Sequence, residues 1–110
     1  MKLLKSTKEL MSFVYGNDIA LVAITNDRDG CGKILLEVFQ RLEEKSRGVV
    51  ITGVAFIENA DEKAVTILLY FKGQELMRQE KIFGNFKKDY EALKWSVSEV
   101  LSSKGVKLPF

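Results

Sequence analysis

The sequence predicts an α/β fold: a mixed central sheet of about four strands covered by helices, in the order α-β-α-β-β-β-α. Three observations carry this prediction. Two runs, 19–25 and 49–57, are apolar on both faces, as strands buried between helices are. The segment between them repeats apolar residues at helical spacing, which makes a strand–helix–strand unit with a parallel, right-handed crossover. A third apolar run, 64–71, leads through a glycine turn into a charged alternating segment and then a last helical stripe. At 110 residues the chain is expected to form one domain, 1–110, with a single core.

The elements follow from local chemistry. Ser6-Thr7-Lys8-Glu9 has the form of a capping box and opens a first helix, with Leu10, Phe13 and Val14 on its apolar face. Gly16-Asn17-Asp18 turns the chain into the strand Ile19–Thr25. The polar turn Asn26-Asp27-Arg28-Asp29-Gly30 precedes a helix from about Cys31 that carries Ile34, Leu35, Val38, Phe39 and Leu42. Lys45-Ser46-Arg47-Gly48 ends it, with basic residues and then a glycine. Val49–Ile57 is the second buried strand and Glu58–Lys63 a polar loop. Ala64–Phe71 is the third strand, rich in β-branched and aromatic residues. Lys72-Gly73-Gln74-Glu75 reads as a hairpin turn, and Leu76–Phe83 as an exposed edge strand. Tyr90, Leu93, Val97, Val100 and Leu101 define the last helix. Trp95 lies off that stripe, either partly over the sheet or as a partner-facing anchor.

Composition excludes several functions. The chain has no histidine, so Ser–His and Cys–His catalysis are absent. Its one cysteine cannot form an internal disulfide, and no apolar run is long enough for a signal peptide or a membrane span. A cytoplasmic protein with no membrane association is expected. The net charge of +2 is spread along the chain, without the basic stripe a nucleic-acid surface needs. Many Lys and Glu beside few amides suit a thermophile.

The order of elements and several segments resemble the thioredoxin-like superfamily from about Lys8 to Ser103. Ile67-Leu68-Leu69-Tyr70-Phe71-Lys72-Gly73-Gln74-Glu75 resembles its penultimate strand and turn. Ile82-Phe83-Gly84-Asn85 and the following helix resemble its closing strand, glycine and C-terminal helix. The strand Ala20–Ile24 and the helix at Lys33 resemble the stretch around its Cys-x-x-Cys-Lys motif. Three departures stand out. The motif itself is missing. If Lys33 matches the family's lysine, Asp29 and Gly32 fall on the cysteine positions; if Cys31 takes the first position, Cys31-Gly32-Lys33-Ile34 resembles a monothiol glutaredoxin. The family's cis-proline before the third buried strand is missing too, with Val65 near its place and Pro109 the only proline. The helix between the parallel strands and the hairpin is replaced by Glu58–Lys63. In the family's sheet that connection crosses two strand spacings, about 10 Å. Six residues extend to about 20 Å, so the loop would pass beside Asp27, Asp29 and Cys31. The competing topology pairs Val49–Ile57 with Ala64–Phe71 as a plain hairpin.

The candidate site therefore lies beyond the carboxyl end of Ile19–Thr25, where ligands of open α/β sheets collect. Cys31 is the candidate catalytic thiol. The helix terminus, Arg28 and Lys33 favour a thiolate, and Asp27 and Asp29 oppose it. Asp27, Arg28, Asp29, Gly30, Gly32, Lys33 and Val65 are the candidate binding residues around it. Gly30-Cys31-Gly32-Lys33 is not a Walker A motif, since Asp27 and Ile34 replace its glycine and hydroxyl positions. Asp27-x-Asp29-Gly30 is not an EF-hand, because Glu37 is one residue late for the bidentate position. Asp27, Asp29, Glu58 and Asp61 form a solvated acidic rim or a loose hard-cation site. Phe83, Phe86, Lys87 and Lys88 are expected to anchor a helix start rather than to stack nucleic-acid bases. Two functions are expected: a binding or assembly module acting as a homo-oligomer with a further protein partner, or a monothiol redox protein acting through Cys31. Neither needs a cofactor.

Overall fold

The computed structural model describes residues 1–26, 30–57 and 65–110. Its elements are β1 (Lys2–Leu4), α1 (Thr7–Tyr15), β2 (Ile19–Thr25), α2 (Cys31–Lys45), β3 (Ile51–Phe56), β4 (Val65–Phe71), β5 (Gln74–Gln79) and α3 (Phe86–Ser102). The sheet runs β1-β3-β2-β4-β5. It has five strands where about four were expected. The extra one, β1, pairs parallel with β3, setting Lys2 against Gly53 and Leu4 against Ala55. Three residues are too few to show a period, so only tertiary pairing reveals it.

β2 is the central strand. It pairs parallel with β3, as predicted, and antiparallel with β4. Thr25 lies opposite Phe56 on one side and Val65 on the other. The chain thus leaves β3 and enters β4 on opposite sides of the carboxyl end of β2, and the plain-hairpin topology is excluded. The expected approach of Glu58–Lys63 to Asp27 or Asp29 lies outside the described residues.

The two faces of the sheet hold separate cores. α2 and α3 cover one, built on Leu21, Leu35, Phe39, Leu42, Ile67, Leu69, Leu93 and Leu101. α1 covers the other, with Leu4, Leu10, Phe13, Val14, Ala20, Val22, Ala55 and Leu68. The α1 cap forms nearly as the sequence predicts. Ser6 Oγ accepts from Glu9 N at 3.1 Å, while the Glu9 carboxylate reaches one residue further back, to Lys5 N at 3.1 Å.

The hairpin differs from the reading of the sequence. Its turn is only Lys72-Gly73, with φ of 51° and 80°, the doubly left-handed form that suits strand twist. β5 therefore starts at Gln74 and ends at Gln79 instead of running from Leu76 to Phe83. A bulge at Leu76 breaks the expected alternation, so Leu76 and Met77 both pack on the α2/α3 core. Two aromatic expectations also change. Trp95 is 68 % exposed and does not lie over the sheet. Phe83 is 70 % exposed, and only Phe86 of that group packs on the core, stacked on Tyr90 at 5.8 Å between ring centroids.

Candidate functional site

The carboxyl end of β2 is built from Thr25, which is buried, and from the start of α2. Gly30 is the N-cap, with no side-chain hydrogen bond closing the helix end. Its carbonyl accepts from Lys33 N at 3.1 Å and Ile34 N at 3.4 Å. Cys31 is the first helical residue. Half-buried, it packs against the α2/α3 core. Gly32 is buried, and Lys33 is exposed. The first turn of α2 carries no acidic residue.

Val65 opens β4 opposite Thr25 and is 5 % exposed, so its side chain belongs to the core instead of lining a surface. Cys31, Gly30, Gly32 and Val65 thus share one end of the sheet, and Val65 contributes packing there. Asp27, Arg28 and Asp29, together with Glu58 and Asp61 of the proposed acidic rim, lie outside the described residues. Among the described residues, no group of three or more His, Cys, Asp or Glu side chains is placed to hold a metal ion.

Three polar features elsewhere were not foreseen. Glu43 accepts from the Met1 ammonium at 2.8 Å, Thr52 N at 2.7 Å and Thr52 Oγ1 at 3.0 Å, so it ties α2 to β3 and to the start of the chain. Burial pushes the Glu43 carboxyl up, but these donors outweigh it and hold it below the usual carboxylate value. Asp89, 1 % exposed, accepts from the backbone N–H groups of Phe83, Gly84 and Asn85 at 2.7, 3.0 and 3.1 Å. That clasp shapes the entry to α3 and gives the buried carboxyl three backbone partners. The third is an open groove of about 380 Å³ between α2 and α3, lined by Glu37, Gln40, Arg41, Glu44 and Phe86, with the Arg41 guanidinium 5.9 Å from the Phe86 ring centre. The only sequence signal for it is the spacing of Glu37, Arg41 and Glu44 on one side of α2.

No family model and no curated protein matches the sequence. Solved structures match the fold. A thioredoxin from Plasmodium falciparum has a TM-score of 0.63 at 14 % identity, covering 90 % of this chain and 98 % of that one. A mutant thioredoxin from Halobacterium salinarum NRC-1 has 0.62 at 17 % identity, covering 89 % and 88 %. A thioredoxin-like protein from Bacillus cereus ATCC 10987 has 0.57 at 17 % identity, covering 80 % and 94 %. The fold is thioredoxin-like, as the resemblance implied.

Proposed function

We propose that this chain uses the thioredoxin-like fold as a binding or assembly module and does not carry out dithiol reductase chemistry. The single observation behind this reading is Cys31: it is the only cysteine, and it stands half-buried against the core at the first position of α2. Dithiol exchange needs a second thiol to resolve the mixed disulfide, and none exists in the chain. Val65, packed in the core where the resemblance expects the cis-proline, supports the same reading. The whole chain acts as one unit, and its partners are proteins, including a second copy of itself.

A monothiol reading is favoured by one feature, the position of Cys31 at a helix N-terminus. There the Cys31 thiolate would attack the glutathione sulfur of a protein–glutathione mixed disulfide. The protein thiolate would leave, and a second glutathione thiolate would then attack the glutathione sulfur on Cys31, giving glutathione disulfide and the Cys31 thiolate.

The test is reduction of insulin and of a glutathionylated peptide by the wild type and Cys31→Ser, alongside iodoacetamide labelling of the wild type. The binding reading predicts no reduction above background with dithiothreitol or glutathione as electron source, and no difference between the two proteins. Reductase activity that vanishes in Cys31→Ser would establish the monothiol reading instead.

A further inference from the structure

β5 stands at one end of the sheet and pairs with β4 alone, so its outer row of backbone N–H and C=O groups faces no strand among the described residues. Such an edge is a template for another strand. Which strand it fits is set by the faces its residues occupy.

Pairing with β4 fixes those faces. Gln74, Met77 and Gln79 lie opposite Phe71, Leu69 and Ile67, which belong to the α2/α3 face. Glu75 and Arg78 lie opposite Tyr70 and Leu68, on the α1 face. Leu76, the extra residue of the bulge, packs with Met77 on the α2/α3 face. In a regular strand, positions 75 and 78 would point to opposite faces. Here the bulge brings them to one side, and Arg78 Nη2 is 3.2 Å from Glu75 Oε1.

The segment Gln74-Glu75-Leu76-Met77-Arg78-Gln79 is consequently symmetric about its centre. Read from either end it runs amide, charge, apolar, apolar, charge, amide, with charges of opposite sign and faces that match. When two copies of one edge pair antiparallel about a two-fold axis, directly opposed residues must share a face. The register that sets Leu76 against the partner's Met77 also sets Glu75 against the partner's Arg78, and Gln74 against the partner's Gln79. Every opposed pair then shares a face. A shift of one or two residues in either direction opposes residues of different faces.

We propose that two copies of this chain associate through β5 in this register, joining their two sheets into one. This rests on the reading of the chain as an assembly module and names its partner. A bulge ordinarily blunts an edge, because an incoming strand lacks the same break in alternation. A second copy carries that break at the same place. The exposed charges act in the same direction: Glu75 and Arg78 discourage unrelated strands, whereas the two-fold gives each an opposite charge.

Sedimentation equilibrium from about 1 µM to about 500 µM, the range that reads micromolar association, tests this in the Cys31→Ser background. That background keeps oxidation out and makes the result independent of any thiol chemistry. The unsubstituted edge is expected to dimerise. Glu75→Arg and Arg78→Glu each place two like-charge pairs across the interface and should weaken the dimer about tenfold or more. The double variant Glu75→Arg/Arg78→Glu restores both pairs and should return to within about threefold. Gln74→Cys chains mixed with Gln79→Cys chains should cross-link on oxidation, while either alone should not. A monomer throughout the range overturns the proposal, as do single reversals that leave dimerisation unchanged, a double variant that does not recover, or equal cross-linking of the unmixed chains. If Cys31 proved a redox thiol, the assembly-only reading would fail while these outcomes still decided the β5 contact.

Discussion

The α2/α3 face of the sheet is filled mainly by large side chains, and the α1 face sets small residues of the sheet among the larger ones. Under α2 and α3, Phe39, Leu35, Leu69, Leu93 and Leu101 are fully buried. Under α1 the sheet presents Ala20, Gly53 and Ala55, and the nine-residue helix approaches closely enough for the Phe13 ring to lie over β3. A short helix buries little surface, so it holds only by close approach. The thick face should therefore be sensitive to lost volume, and the thin face to added volume.

Substitutions test this contrast directly. Phe39→Ala empties the middle of the thick face and should cost about 3–5 kcal/mol in urea unfolding, the range for a buried phenylalanine. A cost near 1 kcal/mol would mean that α2 and α3 can collapse onto the gap. Gly53→Val attacks the thin face. A Cβ at Gly53 would already lie 3.0 Å from Leu4 Cδ1 and 3.2 Å from Phe13 Cε2. Overpacking should cost about 1–3 kcal/mol, and Phe13→Leu in the same chain should recover part of it. Full tolerance of Gly53→Val would show that α1 is not held by close approach.

A smaller effect is expected from Glu43, which joins α2 to β3 at the edge of the thick face. Glu43→Gln should cost about 1–2 kcal/mol near neutral pH, because charge-assisted bonds are lost at a partly exposed site. The folded carboxyl titrates below the unfolded one. Its contribution is therefore present above the unfolded pKa and disappears as pH falls through the folded one. Stability curves of wild type and Glu43→Gln should converge in acid. A difference between the two proteins that does not shrink as the pH falls through the carboxylate range would remove the ion pair as the cause.

Much of this was legible because burial leaves a direct mark on composition. β2 is apolar at nearly every position since both its faces are covered, and Leu10, Phe13 and Val14 give the α1 stripe plainly. β1 left no mark, because three residues show no period and only their pairing with β3 makes them a strand. The bulge at Leu76 was hidden for a related reason: Leu-Met inside an alternating segment reads as one residue out of place. Glu43 and Asp89 look like ordinary surface acids in a helix, and only their backbone and terminal donors, up to 42 residues away, show otherwise. At the candidate site, the sequence placed Cys31 at the start of α2 correctly. It read Val65 both as part of an apolar strand and as a residue beside the thiol; the structure buries it in the core, because proximity to a thiol and exposure to it are separate properties.

The central claim, that the fold serves binding here and not thiol chemistry, is tested most directly by the rate at which iodoacetamide labels Cys31 as a function of pH. The account predicts labelling at pH 7 no faster than that of a cysteine in an unstructured peptide. The sulfur is half-buried against the core, in a chain with no histidine to act as its base and no second cysteine to resolve a mixed disulfide. A rate that has already reached its plateau below pH 7 would contradict the account and mark Cys31 as a working nucleophile.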